Sequence, residues 1–272
     1  MKNAFKILYL STKTDRMKRL LVHLHLYYKD QTDYFLEKLS HISGCRWTLY
    51  VTVLEKDIEI EKKFLQLNAD VRFLTVDNAG YDILPFIKVI RTVCLYDFDY
   101  ILKLHTKASR VPGVIINGQM FSGFSWRNEL VDSLIGSRCR FRKIMRTLDS
   151  DPLIGLACSD LLFADACEGL AGGKHMLESE LARLGITSPL RRFCAGTMFI
   201  VRASACGYLQ SGDISDGIFG EHTATGETGS MSHVYERILS MSVGNWGYKA
   251  YTVVTDPFRS VLMRLHGRGG KS

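Results

Sequence analysis

The chain has 272 residues, 46% hydrophobic and 23% charged, which is enough apolar mass to bury a sizeable core and too much for a disordered chain. The 23 glycines and 5 prolines follow no period, which excludes collagen-like and low-complexity classes. A balance of 35 Lys and Arg against 28 Asp and Glu leaves a net charge of +7, favouring anionic partners such as phosphorylated ligands or acidic lipid surfaces.

Residues 1–18 read as an appendage to a single domain over 19–262, with 263–272 a disordered tail. Leu20–Tyr28 is predicted as a strand whose two-residue period puts His23 and His25 on one face, as ligands or as satisfied core histidines. A helix is expected over Asp30–Leu39 and a second strand over Trp47–Leu54. A helix over Ile58–Leu67 and a third strand over Val71–Val76 follow. Asn78-Ala79-Gly80 signals a turn, and Ile83–Leu95 a helix that tolerates Pro85 in its first turn. Asp99–His105 is the fourth strand. Arg110–Ser125 shows no clear period. Helices are expected over Trp126–Ile135, Phe141–Leu148 and Met231–Met241, and strands over Leu153–Cys158 and Phe193–Arg202. The alternation of strand and helix predicts an α/β fold, a mostly parallel sheet flanked by helices.

Seven cysteines without a CxxC pair read as reduced and mostly buried, not as a disulfide framework or a zinc site. No run reaches the roughly 20 apolar residues of a membrane span, and Met1–Leu10 is too short and interrupted for a signal peptide. The expectation is a cytoplasmic protein. There is no GxGxxG, GxxxxGK[ST], GxSxG or HExxH, which weakens oxidoreductase, P-loop, serine hydrolase and zincin readings. Basic residues are not striped with aromatics, so no nucleic-acid partner is expected.

Open α/β sheets bind ligands at the carboxyl ends of their strands. There the third strand is followed by Asp77-Asn78-Ala79-Gly80-Tyr81-Asp82 and the fourth ends in Lys103-Leu104-His105-Thr106-Lys107. Gly80 allows close backbone approach. Asp82 either meets a sugar hydroxyl or caps the helix that follows it. Lys103, His105 and Lys107 share one face, where their charge suits a diphosphate; the plain alternative is that one of the lysines, Lys103 before Lys107, only runs to solvent at the sheet edge. Trp126-Arg127 is either a stacking and phosphate-binding pair or a plain helix start. Glu236-Arg237 is by default a surface ion pair.

Taken together, VHLHLYY, LYVTV, NAGYDILPF, YDFDYILKLHTKAS, WR, FCAGTMFIVRA and HVYER, in this order across residues 20–242, resemble the rhamnan synthesis protein F family of bacterial polysaccharide glycosyltransferases. Ile200 replaces an aromatic of the family pattern, a conservative departure. The resemblance implies a GT-A-like fold. It also implies sugar transfer, with rhamnosyl transfer as the narrower form, from a nucleotide-diphospho-sugar to a lipid-linked glycan in O-antigen or rhamnan-type synthesis. Such work belongs at the inner face of the cell membrane, with peripheral attachment. The Asp-x-Asp expected after the fourth strand is replaced by His105-Thr106-Lys107. No metal ligand is therefore assigned, and magnesium or manganese dependence stays open.

On this reading Asn78, Gly80, Asp82, Lys103, His105, Lys107, Trp126 and Arg127 bind the donor. Gly196, Thr197, His233 and Arg237 line the acceptor side. Glu227 is the expected catalytic base, with Glu221 and Glu236 as rivals. The missing Asp-x-Asp favours an alternative, a non-catalytic glycan-binding or scaffold module.

Overall fold

The computed structural model describes residues 16–109, 113–167, 169–170, 173–220, 230–261 and 263. Strands β1 (Arg19–His25), β2 (Arg46–Val53), β3 (Asp70–Thr75) and β4 (Tyr100–His105) alternate with helices α1 (Thr32–Leu39), α2 (Ile58–Phe64) and α3 (Ile83–Thr92). A hairpin follows, β5 (Val114–Ile116) and β6 (Gln119–Phe121), then α4 (Gly123–Ile135), α5 (Arg138–Ser150) and β7 (Ile154–Ser159). The remaining elements are β8 (Phe163–Asp165), α6 (Lys174–Arg183), β9 (Arg192–Cys194), β10 (Phe199–Arg202), α7 (Met231–Met241) and β11 (Lys249–Val253).

Seven strands form one sheet in the order β11-β7-β10-β4-β1-β2-β3. All pairings are parallel except those of β10, which runs antiparallel to β4 and β7. This is the mostly parallel α/β sheet, flanked by helices, that the strand–helix alternation predicts, and it is consistent with a GT-A-like arrangement. The central strands β1 and β4 are buried almost throughout, as strands covered on both faces must be, and their sequences are near-continuous apolar runs broken only by His and Lys. Helix α3 covers the face bearing His23 and Lys103. The Phe86 ring lies 5.5 Å from the His23 ring and 5.6 Å from Lys103 Nζ. Helices α1 and α5 pack against α4, and α4 and α5 lie on β7.

The chain proceeds outward from β1 through β2 to β3, then returns to lay β4 on the other side of β1. The strand order therefore reverses between β1 and β4, the place where open α/β sheets form a ligand crevice.

Three stretches differ from expectation. Phe193–Arg202 is not one strand. β9 pairs with β8, β10 pairs with β4 and β7, and a tight turn between them carries Gly196 at φ 94° and Thr197 at φ 49°. Arg110–Ser125 contains the β5–β6 hairpin, closed by Asn117 and Gly118 at φ 51° and 73°, the conformation that Asn-Gly favours in two-residue hairpin turns. Helix α4 starts three residues before Trp126, where Ser122 and Ser125 form a reciprocal capping box. Among the described residues no helix is long and apolar enough to cross a membrane.

Candidate functional site

A cleft of about 200 Å³ opens at the carboxyl ends of β1 and β4. Its walls are His25, Tyr27 and Tyr28 after β1, His105, Thr106, Lys107 and Ala108 after β4, and Tyr81 and Asp82 ahead of α3. The Thr106 hydroxyl accepts the N–H groups of Tyr27 (3.1 Å) and Tyr28 (3.0 Å), tying the two strand ends together. Beneath the cleft the Thr52 hydroxyl stands 2.9 Å from both His23 Nε2 and His25 Nδ1. His23 is fully buried. Burial, with Lys103 and His25 adding repulsion, holds its pKa well below the usual histidine value. Both are core histidines held by Thr52; His23 Nδ1 is buried without a hydrogen-bond partner among the described residues, and His25 also reaches the cleft wall.

Asp82 is the hub. It occupies the residue before α3 yet makes no side-chain cap to that helix. Its Oδ2 instead accepts from Lys103 Nζ and from the Thr197 hydroxyl (2.6 Å), and His105 Nδ1 lies 3.1 Å away. Burial works against this carboxylate, but the His105 and Lys103 donors beside it hold its pKa well below the usual range. Lys103 has no solvent exposure, so it does not snorkel to the sheet edge. Its three N–H bonds go to Asp82, to the Thr197 carbonyl (3.2 Å) and to the Thr197 hydroxyl (3.0 Å). A lysine with every donor used has none for a diphosphate, so Lys103 is a positioning residue.

Two non-glycine residues with positive φ flank this hub, Tyr81 at 53° and Thr197 at 49°. Such backbone costs on the order of 1–3 kcal/mol and persists where surrounding contacts over-determine it. Here Asp82 and Lys103 hold Thr197 by both its carbonyl and its hydroxyl.

Lys107 differs from Lys103. Its Nζ makes no hydrogen bond or ion pair among the described residues and sits 3.7 Å from the centroid of the Trp126 ring. Burial lowers its pKa, with Asp82 and Glu236 pulling the other way. Gly196 packs against the same group. A Cβ there would come within 2.7 Å of Leu130 Cδ1, 3.1 Å of Trp126 Nε1 and 3.4 Å of Lys107 Cε. The Gly196 N–H donates to Glu236 Oε1 at 2.8 Å. Behind the Lys107 wall of the cleft an aromatic face, a Cβ-free turn and a carboxylate thus come together, though of this group only Lys107 lines the cleft itself.

The remaining expected residues divide. Arg127 is turned away from the cleft wall: it stacks on Tyr34 (3.6 Å) and Phe124 (4.1 Å) and bonds Gln31 Oε1 and Asn128 Oδ1. Gln31 in turn donates to the Lys107 carbonyl at 2.6 Å, so Arg127 is linked through Gln31 to the Lys107 loop. Asn78 is exposed and outside the cleft wall. Gly80 is needed for a close approach to protein, since a Cβ there would lie 2.6 Å from Leu84 Cβ and 2.9 Å from Phe219 Cβ. Arg237 is buried, not a surface partner. It donates to the Ala166 carbonyl (2.8 Å) and the His233 carbonyl (2.9 Å), anchoring α7. His233 is half-buried, hydrogen-bonded to Ser230, with its ring 6.0 Å from Tyr81. Glu221 and Glu227 lie outside the described residues. The cleft tyrosines 27, 28 and 81 and the bridging Gln31 and Thr106 are additions. Tyr27-Tyr28 carried a signal, because it directly follows β1 at the end where ligands bind.

Among the described residues no group of three or more His, Cys, Asp or Glu is placed to hold a metal ion. At the end of β4 the donor set does not suit one either. Asp82 Oδ2 already takes two hydrogen bonds, one of them from an ammonium, and a divalent ion there would face Lys103.

Two relatives, each called Uncharacterized protein WxcX, come from Xanthomonas campestris pv. campestris strain B100 and a second strain of that pathovar. Each is 28% identical over 234 residues, which is 85% of this chain and 32% of the relative. The chain therefore spans about a third of the length of these curated relatives. The profile of Rhamnan synthesis protein F (RgpF) matches residues 4–248, a span that takes in β1, the Asp82 hub, the Lys107 loop and α7. By that match over nearly its whole length, the chain belongs to the rhamnan synthesis protein F family, whose name ties it to polysaccharide synthesis.

Proposed function

We propose that the chain is a glycosyltransferase that moves a sugar from a nucleotide-diphospho-sugar to a hydroxyl of a lipid-linked glycan. The carrying observation is Lys107, a cation on the wall of a switch-point cleft with no carboxylate partner among the described residues and an aromatic face beneath it. In transfer, the acceptor oxygen bonds to the anomeric carbon as the bond from that carbon to the phosphate oxygen breaks. The diphosphate leaves with the electron pair, and Lys107 meets the charge that accumulates on it. The acceptor proton must pass to a base. Among the described residues Glu236 takes that role, held beside Gly196 and Thr197 on the acceptor side. Tyr27, Tyr28 and Tyr81 offer flat faces to a base or a sugar ring. Work on a lipid-linked acceptor calls for peripheral contact with the inner membrane face, which the net charge of +7 favours.

The test is calorimetric binding of a panel of nucleoside diphosphates, followed by transfer assays with their sugars in excess EDTA. Lys107→Ala should raise the dissociation constant at least ~10-fold, and Lys107→Arg by much less, since both charged side chains serve phosphate. Equal effects would remove Lys107 from the donor site. Loss of transfer in EDTA, restored by manganese or magnesium, would overturn the lysine-for-metal reading. Binding without turnover across the panel would favour a glycan-synthesis module without catalysis.

A further inference from the structure

We infer that His105 reads a hydroxyl of the bound ligand, through an unprotonated Nε2 that faces the cleft while Nδ1–H faces Asp82. The inference rests on the donor-site reading above and deepens it, because it says what stands next to the phosphate.

The proton placement follows from the neighbours. His105 Nδ1 lies 3.1 Å from Asp82 Oδ2, close although without an aligned hydrogen bond. A carboxylate oxygen only accepts, so a hydrogen on Nδ1 makes this contact attractive and a lone pair there makes it repulsive; the hydrogen is accordingly placed on Nδ1. Whether Nε2 carries a second proton depends on what faces the ring. His105 is buried, 4% exposed. The charged and titratable groups around it are Asp82 ahead of α3, Lys103 on β4, Lys107 just past it, and His25 and His23 on β1, with His25 directly beside it in register. Two ammonium groups and desolvation oppose an imidazolium, and the Asp82 carboxylate that favours it is shared with Lys103 and Thr197. The balance holds the His105 pKa down to about 3. Nε2 then keeps its lone pair, and it has no hydrogen-bond partner among the described residues.

A lone pair repels phosphate oxygens and accepts from a hydroxyl. Lys107, two residues on, does the reverse. The two together describe a ligand with a hydroxyl donor close to its phosphate: a ribosyl or glycosyl phosphate, not bare phosphate or pyrophosphate. This narrows the donor-binding role expected of His105 to a hydroxyl beside the phosphate. A site built to hydrogen-bond a hydroxyl discriminates strongly against ligands that lack it.

The experiment has two parts, both on the full chain. In protein labelled with ¹⁵N at histidine, long-range ¹H–¹⁵N spectra at pH 7 should show His105 as the neutral Nδ1–H tautomer, identified by its absence in His105→Asn. An imidazolium or an Nε2–H tautomer at pH 7 overturns the inference, whatever happens in binding. Calorimetry then compares pyrophosphate with uridine, guanosine, cytidine and thymidine diphosphates. Asn supplies an N–H near the Nδ1 position and nothing at Nε2. His105→Asn should therefore weaken the best nucleoside diphosphate at least ~10-fold while leaving pyrophosphate within about twofold. His105→Gln, whose carbonyl oxygen can stand near the Nε2 position, should recover part of the loss. An equal loss for pyrophosphate overturns the inference. Pyrophosphate binding as tightly as every nucleoside diphosphate overturns the hydroxyl reading alone. No binding of any probe overturns the donor site and this inference with it.

Discussion

Replacing Asp82 by asparagine keeps the shape of the hub and removes its negative charge. Lys103, with no exposure to solvent, is then a buried ammonium bonded to neutral groups only. Removing one partner of a buried pair typically costs about 3–5 kcal/mol. Asp82→Asn should therefore lower the melting temperature at pH 7 by roughly 10 °C or more. Lys103→Met should cost less, because Asp82 keeps the Thr197 hydroxyl at 2.6 Å and is 18% exposed, so water can reach it. The double variant Asp82→Asn/Lys103→Met should be more stable than Asp82→Asn alone. Thermal unfolding of the four proteins at pH 7 measures all of this. A melting temperature for Asp82→Asn within 2 °C of wild type, or a double variant no more stable than Asp82→Asn, would refute the view that Lys103 is a buried charge dependent on Asp82.

Other expectations follow from single contacts. His105 has its pKa lowered to about 3, so its contribution to stability is present above pH ~6.5 and is lost as pH falls towards 3, about 2 kcal/mol of it by pH 5. Thermal unfolding from pH 7 to pH 5 should show that slope in wild type and a shallower one in His105→Asn. Gly196→Ala should cost roughly 1–3 kcal/mol, from its φ of 94° and the 2.7 Å approach to Leu130 Cδ1. A denaturant midpoint at the wild-type value would show that the turn relaxes freely. Arg127→Lys should loosen the Lys107 loop, because lysine lacks the planar fork that spans Gln31 and Asn128 while lying on Tyr34. The expected result is weaker nucleoside diphosphate binding with a melting temperature within a few degrees of wild type.

Much of the sheet was legible because β1 to β4 alternate with helices in strict succession, each bounded by polar residues, so local period and order coincide. The turn at Gly196 was not. FCAGTMFIVR is apolar at either end of the glycine, and only tertiary pairing assigns Phe193 to β8 and Phe199 to β4. The hairpin at Asn117-Gly118 was legible in principle, since that dipeptide between short apolar runs is a strong hairpin signal. Asp82 shows the limit most clearly. A carboxylate before a helix reads as a cap, and nothing within four residues reveals that its partners are a lysine 21 residues on and a threonine 115 residues on. Lys103 is hidden for the same reason: the local pattern offers a phosphate or the sheet edge, and its actual acceptors, Asp82 and Thr197, lie far off in the chain.

Strand β10 runs against its neighbours, so its beginning, not its end, lies beside the end of β4. Thr197 reaches Lys103 across 94 residues of chain because of this reversal. During synthesis the first four strands emerge long before the turn that completes the coordination of that lysine. A nascent chain ending short of residue 197 has a charge facing inward with two of its three acceptors missing. The early half of the sheet is therefore poorly suited to closing by itself, and its final tightening waits on the arrival of β10. Fragments that stop before β10 should collect as partly open species, while those that include it should gain protection at β1 and β4 in a single cooperative step.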